Sequence, residues 1–346
     1  MEHYIYKHTT PFICESGAEI QGLTIHYSTL GTLNSNHDNV IWICHALTAN
    51  SDVSAWWSGL IGHGKLYDPN KHFIICANIL GSCYGTSGPI EINPKTARPY
   101  YLDFPFITIR DMVGVHEILK DALNITKIHT CIGGSLGGQQ AMEWAILNPI
   151  LIENLVLLAT NAFHSPWGIA FNEAQRMAIQ ADPSWKNLTP DAGREGLKAA
   201  RAIALLSYRN YHTYECSQKE DDDIKVDNFK ASSYQNYQGE KLVNRFNCHA
   251  YWYLTKAMDS HHVGRGRGSA EGALAKIQSK TLVIGITSDV LFPINEQAFL
   301  AQNIPSSDFK KIESIYGHDG FLIEYSKIES LIKNFYNSAH THNILQ

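Results

Sequence analysis

The residues best suited to chemistry lie in a glycine-rich run around one serine. Residues 131–140 read CIGGSLGGQQ, with Ser135 at the centre of a Gly-x-Ser-x-Gly pattern. A strand-like apolar segment precedes the run, and a helix-like segment follows it as far as residue 147. At a strand-to-helix junction this pattern predicts a nucleophile elbow, a tight turn that lifts the serine hydroxyl clear of the sheet. The alternative is a glycine-rich loop with a buried serine.

A serine hydroxyl is a weak nucleophile, so it needs a base, and the base needs an orienting carboxylate. Two later residues, Asp289 and His318, follow Ser135 in the order Ser, Asp, His that this kind of elbow requires. Asp289 comes just after the apolar run 281–286, and His318 just after the run 309–315. Open α/β sheets carry their sites at such strand ends. A helix-capping Asp289 and an ordinary loop His318 are the alternatives, and the shared order and placement favour a triad.

Acyl transfer also needs backbone donors for the oxyanion that forms on the attacked carbonyl. We expect one donor to be the N–H of Leu136, directly after the serine. The second should come from the loop 45–48, which follows the apolar run 40–44, and we favour the N–H of Leu47. The N-terminus of the helix after Ser135 would add its partial positive charge.

The elements that must position these residues alternate between strand-like and helix-like segments. Continuous apolar runs are typical of parallel strands buried on both faces, and here they lie at 40–44, 73–78, 128–132, 155–160 and 281–286. We also expect an antiparallel strand or hairpin over 20–30, a helix opening at 109 and a last helix over 320–336. The alternation stops between 161 and 277. The sequence therefore predicts an α/β core over 1–160 and 278–346, with a mostly parallel central sheet, helices on both faces and an inserted helical cap over 161–277.

Composition narrows the class of protein further. The 346 residues are 44% hydrophobic and 18% charged, which suits one large domain with an insertion. The net charge of −5 predicts no nucleic-acid partner. Seven cysteines without a Cys-x-x-Cys pair predict a reducing, cytoplasmic setting. We expect no signal peptide, membrane span or metal, because no suitable apolar run or histidine spacing occurs.

These motifs resemble the homoserine O-acetyltransferase family of the α/β-hydrolase superfamily. The similarity covers nearly the whole chain in order, and its matching stretches are 45–48, 78–89, 133–144, 170–173, 254–259, 288–293 and 316–322. Leu136 replaces the methionine that the family commonly has, which is a conservative change. The chain also looks shorter than typical members near 182–191.

The resemblance implies an α/β-hydrolase fold and transfer of an acetyl group from acetyl-CoA to the hydroxyl of L-homoserine, by a ping-pong acyl-serine route in methionine biosynthesis. It implies acetyl-CoA as co-substrate with no permanently bound cofactor, and a homodimer. It also implies that Arg201 and Asp319 bind the substrate. An arginine fork suits a carboxylate, and a carboxylate accepts an ammonium. The alternatives are a helix-surface salt bridge for Arg201 and a helix cap for Asp319.

Other functions stay open at this point. An ester or thioester hydrolase would share the fold and triad, although it has no need of the amino-acid anchors. A homoserine O-succinyltransferase or a serine O-acyltransferase would differ in only one or two pocket side chains. A noncatalytic binding protein on this scaffold is disfavoured by the intact Ser135, Asp289 and His318.

Two further stretches each have a structural and a functional interpretation. Arg265 and Arg267, in the GRGRG run at 264–268, could meet the phosphates of coenzyme A, although an exposed cap loop is the favoured interpretation. Trp56 and Trp57, near the Leu47 loop, could wall the site, although ordinary packing is favoured.

Overall fold

The central element of the fold is a mostly parallel sheet. The computed structural model describes residues 1–342, with side chains as far as Ser338. In chain order its strands are β1 (Glu2–Lys7), β2 (Phe12–Ile13), β3 (Glu19–Ile20), β4 (Thr24–Leu30), β5 (Val40–Cys44), β6 (Phe73–Ala77), β7 (Ile92–Asn93), β8 (Arg98–Pro99), β9 (Ile128–Gly134), β10 (Ile152–Leu158), β11 (Lys280–Ile286) and β12 (Ser307–Ile312).

Eight of the strands within these described residues form one sheet, in the order β1-β4-β6-β5-β9-β10-β11-β12. β4 pairs antiparallel with both β1 and β6, and from β6 to β12 the neighbouring strands run parallel. β2–β3 and β7–β8 are separate short hairpins. The carboxyl ends of β5, β9, β10 and β11 therefore meet at one edge of the sheet, where the candidate residues follow the strands.

Helices cover both faces of this sheet. They are α1 (Val53–Trp56), α2 (Ile109–Ala122), α3 (Leu136–Leu147), α4 (Pro166–Ala181), α5 (Arg194–Tyr208), α6 (Tyr211–Gln218), α7 (Lys230–Val243), α8 (Cys248–Asp259), α9 (Ala270–Leu274), α10 (Ile294–Asn303), α11 (Gly320–Ile323) and α12 (Tyr325–His342).

Side chains of the central strands alternate between two apolar clusters. Trp42 and Cys131 pack with residues of α2 and α3 on one face, whereas Ile43 and Ile132 pack with residues of α1 and α12 on the other. All five residues of β5 are buried, as a strand covered on both sides requires. This arrangement confirms the predicted mostly parallel sheet with helices on both faces.

Residues 161–277, all of which the structure describes, contain the six helices α4 to α9 between β10 and β11. An ion pair joins two of them, with Arg176 Nη2 on α4 lying 2.5 Å from Asp259 Oδ2 on α8. Asn172 Nδ2 donates to the other oxygen of Asp259 at 2.8 Å. The helical content agrees with the predicted cap, and the division into a core and a cap subdomain stays a prediction. Residues 343–346 of the predicted core lie outside the described residues.

Two predicted boundaries near the C-terminus were wrong. The strand predicted over 309–315 ends at Ile312, because the apolar Ile315 is 45% exposed in the following turn rather than paired in the sheet. His318 consequently lies in a 3₁₀ turn, Gly317–Asp319, and not directly after a strand. The last helix is split into α11 and α12, because Glu324 leaves helical dihedrals at φ −81° and ψ 38°. Among the described residues, no helix is both long enough and apolar enough to cross a membrane.

Four buried histidines are held in the neutral form. Burial lowers the pKa of His45, His164 and His249 to about 4, and that of His261 to about 3. Among the described residues, neither ring nitrogen of His249 has a hydrogen-bond partner, and its ring stacks on that of Trp185 at a centroid distance of 5.0 Å. A histidine in the unfolded chain titrates near pH 6.5. The unfolded state therefore binds more protons below that pH, and stability falls as the pH decreases from about 6.5 toward 4.

We predict that His249→Phe flattens this pH dependence. Urea denaturation at pH 7 and pH 5 should show that the wild-type protein loses stability over the interval. The variant should lose about 2 kcal/mol less, because one histidine with this depression contributes roughly that amount. His63→Asn is the control, since the His63 side chain is 77% exposed. Equal losses for the wild type and His249→Phe would contradict the prediction.

Candidate active site

Ser135 occupies a strained turn between β9 and α3. Its backbone φ is +58° and its ψ −128°, a conformation that residues with a side chain rarely adopt. The neighbouring strand β10 and the residues after it hold the turn in place. The N–H of Ser135 donates to the carbonyl of Leu158 at 3.0 Å, and the hydroxyl of Thr160 donates to the carbonyl of Ser135 at 2.8 Å. The serine therefore stands at the carboxyl edge of the sheet, as the elbow pattern predicts.

Glycines on either side of Ser135 allow the chain to turn so tightly. A Cβ atom at Gly133 would lie 2.2 Å from the carbonyl oxygen of Gly137. A Cβ atom at Gly137 would lie 2.0 Å from the carbonyl oxygen of Cys44, at the end of β5. No side chain fits at either position. The glycines thus bring the first turn of α3 into direct backbone contact with β5.

Asp289 and His318 are joined by a short hydrogen bond between Asp289 Oδ2 and His318 Nδ1, 2.6 Å long. The other carboxylate oxygen accepts the N–H groups of Leu291 and Phe292, each at 2.9 Å, so the carboxylate is fixed on both sides. Since Nδ1 is the donor to the carboxylate, Nε2 of the imidazole is free to accept a proton. Asp289 does not cap α10, which begins at Ile294 after Pro293.

Two aromatic rings pack against the imidazole of His318 and fix its orientation. The ring of Phe292 stacks on it at a centroid distance of 4.9 Å, and the ring of Phe321 meets it edge-on at 5.3 Å. The side chain of His318 is only 4% exposed and that of Asp289 is fully buried. The pair is therefore rigid and shielded, with the imidazole placed between the buried carboxylate and the cavity.

A cavity of about 330 Å³ brings the candidate groups together. Ser135 and His318 line it, together with Arg201 and Asp319, whereas Asp289 lies behind His318. The rest of the wall consists of Ala46, Leu47, Thr48, Ala49, Asn50, Ala55, Trp56, Tyr208, Arg245, Phe321 and Leu322. Among the described residues the Ser135 hydroxyl forms no hydrogen bond with His318. Such contacts commonly tighten only when substrate is bound.

The expected oxyanion donors are both available. Leu136 opens α3, and the first amides of a helix have no acceptor within it. Leu47 lies in a turn that is closed by the N–H of Ala49 donating to the carbonyl of Ala46 at 3.0 Å. The N–H of Leu47 donates to no acceptor within residues 1–342. Two backbone donors can therefore serve an oxygen atom bound beside Ser135.

Arg201 and Asp319 present opposite charges to the same cavity. The guanidinium of Arg201 lies over the ring of Tyr208, 5.3 Å from its centroid. Its Nε is buried and has no hydrogen-bond partner among the described residues. In the part of the chain that the structure describes, Arg201 forms no ion pair, so the helix-surface salt bridge is not realised. Asp319 Oδ2 lies 3.2 Å from Arg209 Nε, and burial raises the pKa of Asp319 against the opposing charge of the two arginines.

The Asp319 side chain also makes no capping hydrogen bond to the helix that follows it. The helix-cap alternative is therefore not realised either. A cation and a carboxylate that face one cavity can bind the carboxylate and the ammonium of an amino acid.

Tyr208 and Arg245 are among the cavity-wall residues that sequence reasoning missed. Tyr208 lies seven residues after Arg201 on α5, and this spacing, which places both on one helix face, was an available signal. Arg245 follows α7 and reaches the loop after β5, where its Nη1 donates to the carbonyl of Thr48 at 2.5 Å and to the hydroxyl of Tyr84 at 2.8 Å. No pattern in the sequence points to this contact.

The basic GRGRG run does not reach the cavity. Arg265 pairs with Glu15 at 2.7 Å, and Arg267 pairs with Glu143 at 2.5 Å. Both arginines thus tie the segment before α9 to the core, and the hypothesis that they meet coenzyme A phosphates gains no support. The two tryptophans differ, since Trp56 lines the cavity while the buried Trp57 donates to the carbonyl of Phe321 at 3.1 Å.

Comparison with known proteins first defines the class. A family model described as the alpha/beta hydrolase fold matches residues 39–325, so the chain belongs to that fold family. The crystal structure of a homoserine O-acetyltransferase from Bacillus anthracis is similar, with a TM-score of 0.90 and 26% identity over 97% of each chain. Esterase E22, at 24% identity and a TM-score of 0.88, shares the fold over 96% of this chain and 99% of its own.

Closer relatives define the family within this class. The homoserine O-acetyltransferase of Cyclobacterium marinum is 50% identical over 322 residues, which cover 93% of this chain and 92% of the relative. That of Chlorobaculum tepidum is 43% identical over 335 residues, or 95% and 93% of the two chains. The chain belongs to the homoserine O-acetyltransferase family, which confirms the resemblance of its motifs.

We predict that Asp289→Asn lowers kcat for p-nitrophenyl acetate by about 10³- to 10⁴-fold, because an amide in this position reverses the favoured imidazole tautomer. Initial rates of p-nitrophenol release measure the effect. Asp308→Asn, a change at a carboxylate that is 45% exposed on β12, serves as the control and should leave the rate unchanged. A loss below tenfold in Asp289→Asn would show that the Asp289–His318 contact does not set the base.

Proposed function

We propose that the protein is a homoserine O-acetyltransferase that passes the acetyl group of acetyl-CoA to L-homoserine through an acetylated Ser135. The observation that carries the proposal is that one cavity is lined both by Ser135 and His318, with Asp289 hydrogen-bonded behind His318, and by the opposite charges of Arg201 and Asp319. A hydrolase of simple esters needs only the first of these. The activity that the relatives at 43–50% identity are named for supports the same conclusion.

The first half-reaction acetylates the serine. Nε2 of His318 takes the proton of the Ser135 hydroxyl while the serine oxygen attacks the thioester carbonyl. The carbonyl oxygen becomes an oxyanion, which accepts the N–H groups of Leu47 and Leu136. The carbon–sulfur bond then breaks, the proton on His318 passes to the departing thiolate, and the acetyl group stays on Ser135. Asp289 keeps the imidazolium oriented throughout.

The second half-reaction passes the acetyl group to the acceptor. The carboxylate of L-homoserine binds Arg201, and its ammonium binds Asp319, which directly follows His318 in the chain. The side-chain hydroxyl gives its proton to His318 and attacks the acetyl carbonyl. The product O-acetyl-L-homoserine leaves, and the proton returns from His318 to Ser135. Binding the acceptor by two charges favours its hydroxyl over water, because the effective concentration at the acyl carbonyl becomes high.

The remaining features of the proposal come from the family. Acetyl-CoA acts as a co-substrate and no cofactor is bound permanently. We place the enzyme in methionine biosynthesis, in the cytoplasm, and as a homodimer. The free state of all seven cysteines is consistent with a reducing compartment.

Ser135→Ala tests the proposal directly. We expect acetyl transfer to L-homoserine, measured as thiol release and as O-acetylhomoserine by chromatography, to fall by at least about 10⁴-fold. The wild type should show the parallel double-reciprocal lines of a ping-pong reaction. Ser326→Ala, an exposed serine at the start of α12, is the matched control. Near-wild-type transfer by Ser135→Ala would refute the nucleophile.

Competing substrates separate the rival activities in the same assay. A higher kcat/KM for succinyl-CoA or L-serine than for acetyl-CoA or L-homoserine would favour the neighbouring transferases. Acetate as the main product in the presence of L-homoserine would favour a hydrolase.

We predict that Arg201→Gln raises KM for L-homoserine by about ten- to a hundredfold, since a charged hydrogen-bond pair is lost. The burst of thiol released in the first turnover should stay unchanged, because Arg201 acts only on the acceptor. An amino alcohol that lacks the carboxylate of homoserine should be used equally by the wild type and the variant. An Arg201→Gln protein that still distinguishes homoserine from this amino alcohol as well as the wild type does would contradict the role of Arg201.

A further inference from the structure

The peptide between Ala46 and Leu47 carries the proposed second oxyanion donor, and its opposite end is held by two hydrogen bonds. The carbonyl of Ala46 accepts from Nδ1 of His45 at 2.9 Å and from the N–H of Ala49 at 3.0 Å. In a planar trans peptide the C=O and N–H bonds point in opposite directions. Holding the Ala46 carbonyl therefore directs the N–H of Leu47 the other way. Ala46 and Leu47 both line the cavity.

The ring of His45 is fixed in a single tautomer. The N–H of Ile79, just after β6, donates to Nε2 of His45 at 3.0 Å. Because Nε2 accepts this hydrogen bond, the ring proton lies on Nδ1, where it points at the carbonyl of Ala46. His45 is completely buried, and burial lowers its pKa to about 4, so the ring stays neutral near pH 7. The imidazole thus links the backbone after β6 to the peptide that precedes Leu47.

A buried amide ties the same loop to the start of α3. Nε2 of Gln140 donates to the carbonyl of His45 at 3.1 Å and to the carbonyl of Leu136 at 3.2 Å. Its Oε1 pairs with Nε2 of His116 at 3.0 Å. The loop that carries the Leu47 N–H and the helix turn that carries the Leu136 N–H are therefore held together by one side chain.

We propose that His45 is a positioning residue whose imidazole holds the Ala46–Leu47 peptide with the Leu47 N–H aimed at the carbonyl oxygen of the acyl donor. His45 is not part of the cavity wall, so it acts through the peptide rather than on substrate. The inference rests on the proposed acyl-serine chemistry, but not on which acyl donor or acceptor the enzyme uses. The Leu47 N–H is therefore in position before the acyl substrate binds. Oxyanion holes stabilise developing negative charge through such pre-positioned N–H groups.

Three substitutions separate this role from a role in stability. His45→Ala removes both contacts of the ring. His45→Asn places an amide nitrogen at the position of Nδ1, so it can keep the contact to the Ala46 carbonyl. His45→Gln places its amide at the position of Nε2, so it can keep the contact to the Ile79 N–H instead. His261→Asn is the control for loss of a buried neutral histidine elsewhere, since His261 contacts the carbonyl of Asn161.

The readouts are the acylation rate with p-nitrophenyl acetate, the inhibition constant of a short trifluoromethyl ketone, and the melting temperature. The Ser135 oxygen adds to the ketone carbon while its proton passes to His318, so the former carbonyl oxygen becomes an oxyanion that can accept from the two N–H groups. His45→Ala should slow acylation by about ten- to a hundredfold and weaken binding of the ketone by a similar factor. This effect is smaller than the loss expected when an oxyanion donor is removed altogether, because the Leu47 N–H is still present. Compared with His45→Ala, His45→Asn should recover most of the acylation rate and of the ketone binding. His45→Gln should recover neither the rate nor the binding.

Several results would overturn the proposal. One is that His45→Gln and His45→Asn both bind the ketone as tightly as the wild type does, while only their melting temperatures fall. Another is that His261→Asn weakens binding of the ketone as much as His45→Ala does. Because none of the three readouts uses coenzyme A or homoserine, failure of the proposed substrates leaves this test intact. A wild-type protein that binds no trifluoromethyl ketone would instead overturn the acyl-serine chemistry and this inference together.

Discussion

The backbone contact between the first turn of α3 and the end of β5 sets the geometry of the whole site. It exists because Gly137 has no side chain, and any Cβ atom there would collide with the Cys44 carbonyl. The contact places three groups of different origin side by side: the strained Ser135, the first amides of α3 and the loop that begins at His45. Packing this close is available only to glycine, so the nucleophile and both proposed oxyanion donors depend on one steric condition.

The two aspartates of the site differ in their hydrogen bonds and in their charged neighbours, and this difference sets the electrostatics of the site. Asp289 is fully buried, yet three hydrogen bonds satisfy its oxygens, so it can stabilise a charged imidazole beside it. Asp319 faces the cavity, where burial raises its pKa and the nearby arginines oppose the shift. Within the described part of the chain it has one ion-pair partner, Arg209, and its oxygens keep lone pairs that can accept from an ammonium group. One carboxylate is thus committed to the imidazole, and the other is available to a ligand.

Features of the fold and site that depend on neighbouring residues could be predicted from the sequence, whereas contacts between distant segments could not. The elbow, the buried strands and the order of Ser135, Asp289 and His318 are visible along the chain, because strand periodicity and tight turns are local properties. The end of β12 was misplaced since Ile315 is apolar yet exposed. The roles of Arg245 and Gln140 could not be predicted, because each bridges segments far apart in sequence: Arg245 reaches Thr48, and Gln140 reaches the carbonyl of His45. Arg201 was found only through the family resemblance, although its buried, unpaired Nε now gives a physical reason.

Mass spectrometry of the intact protein detects the acetylated Ser135 on which the mechanism depends. After mixing with acetyl-CoA alone, we expect the protein to gain the mass of one acetyl group, which peptide mapping places on Ser135. Addition of L-homoserine should remove it and yield one equivalent of O-acetylhomoserine. If the protein transfers acetyl groups at full rate, yet rapid quenching never traps an acetyl group on Ser135, the reaction does not pass through an acyl-serine.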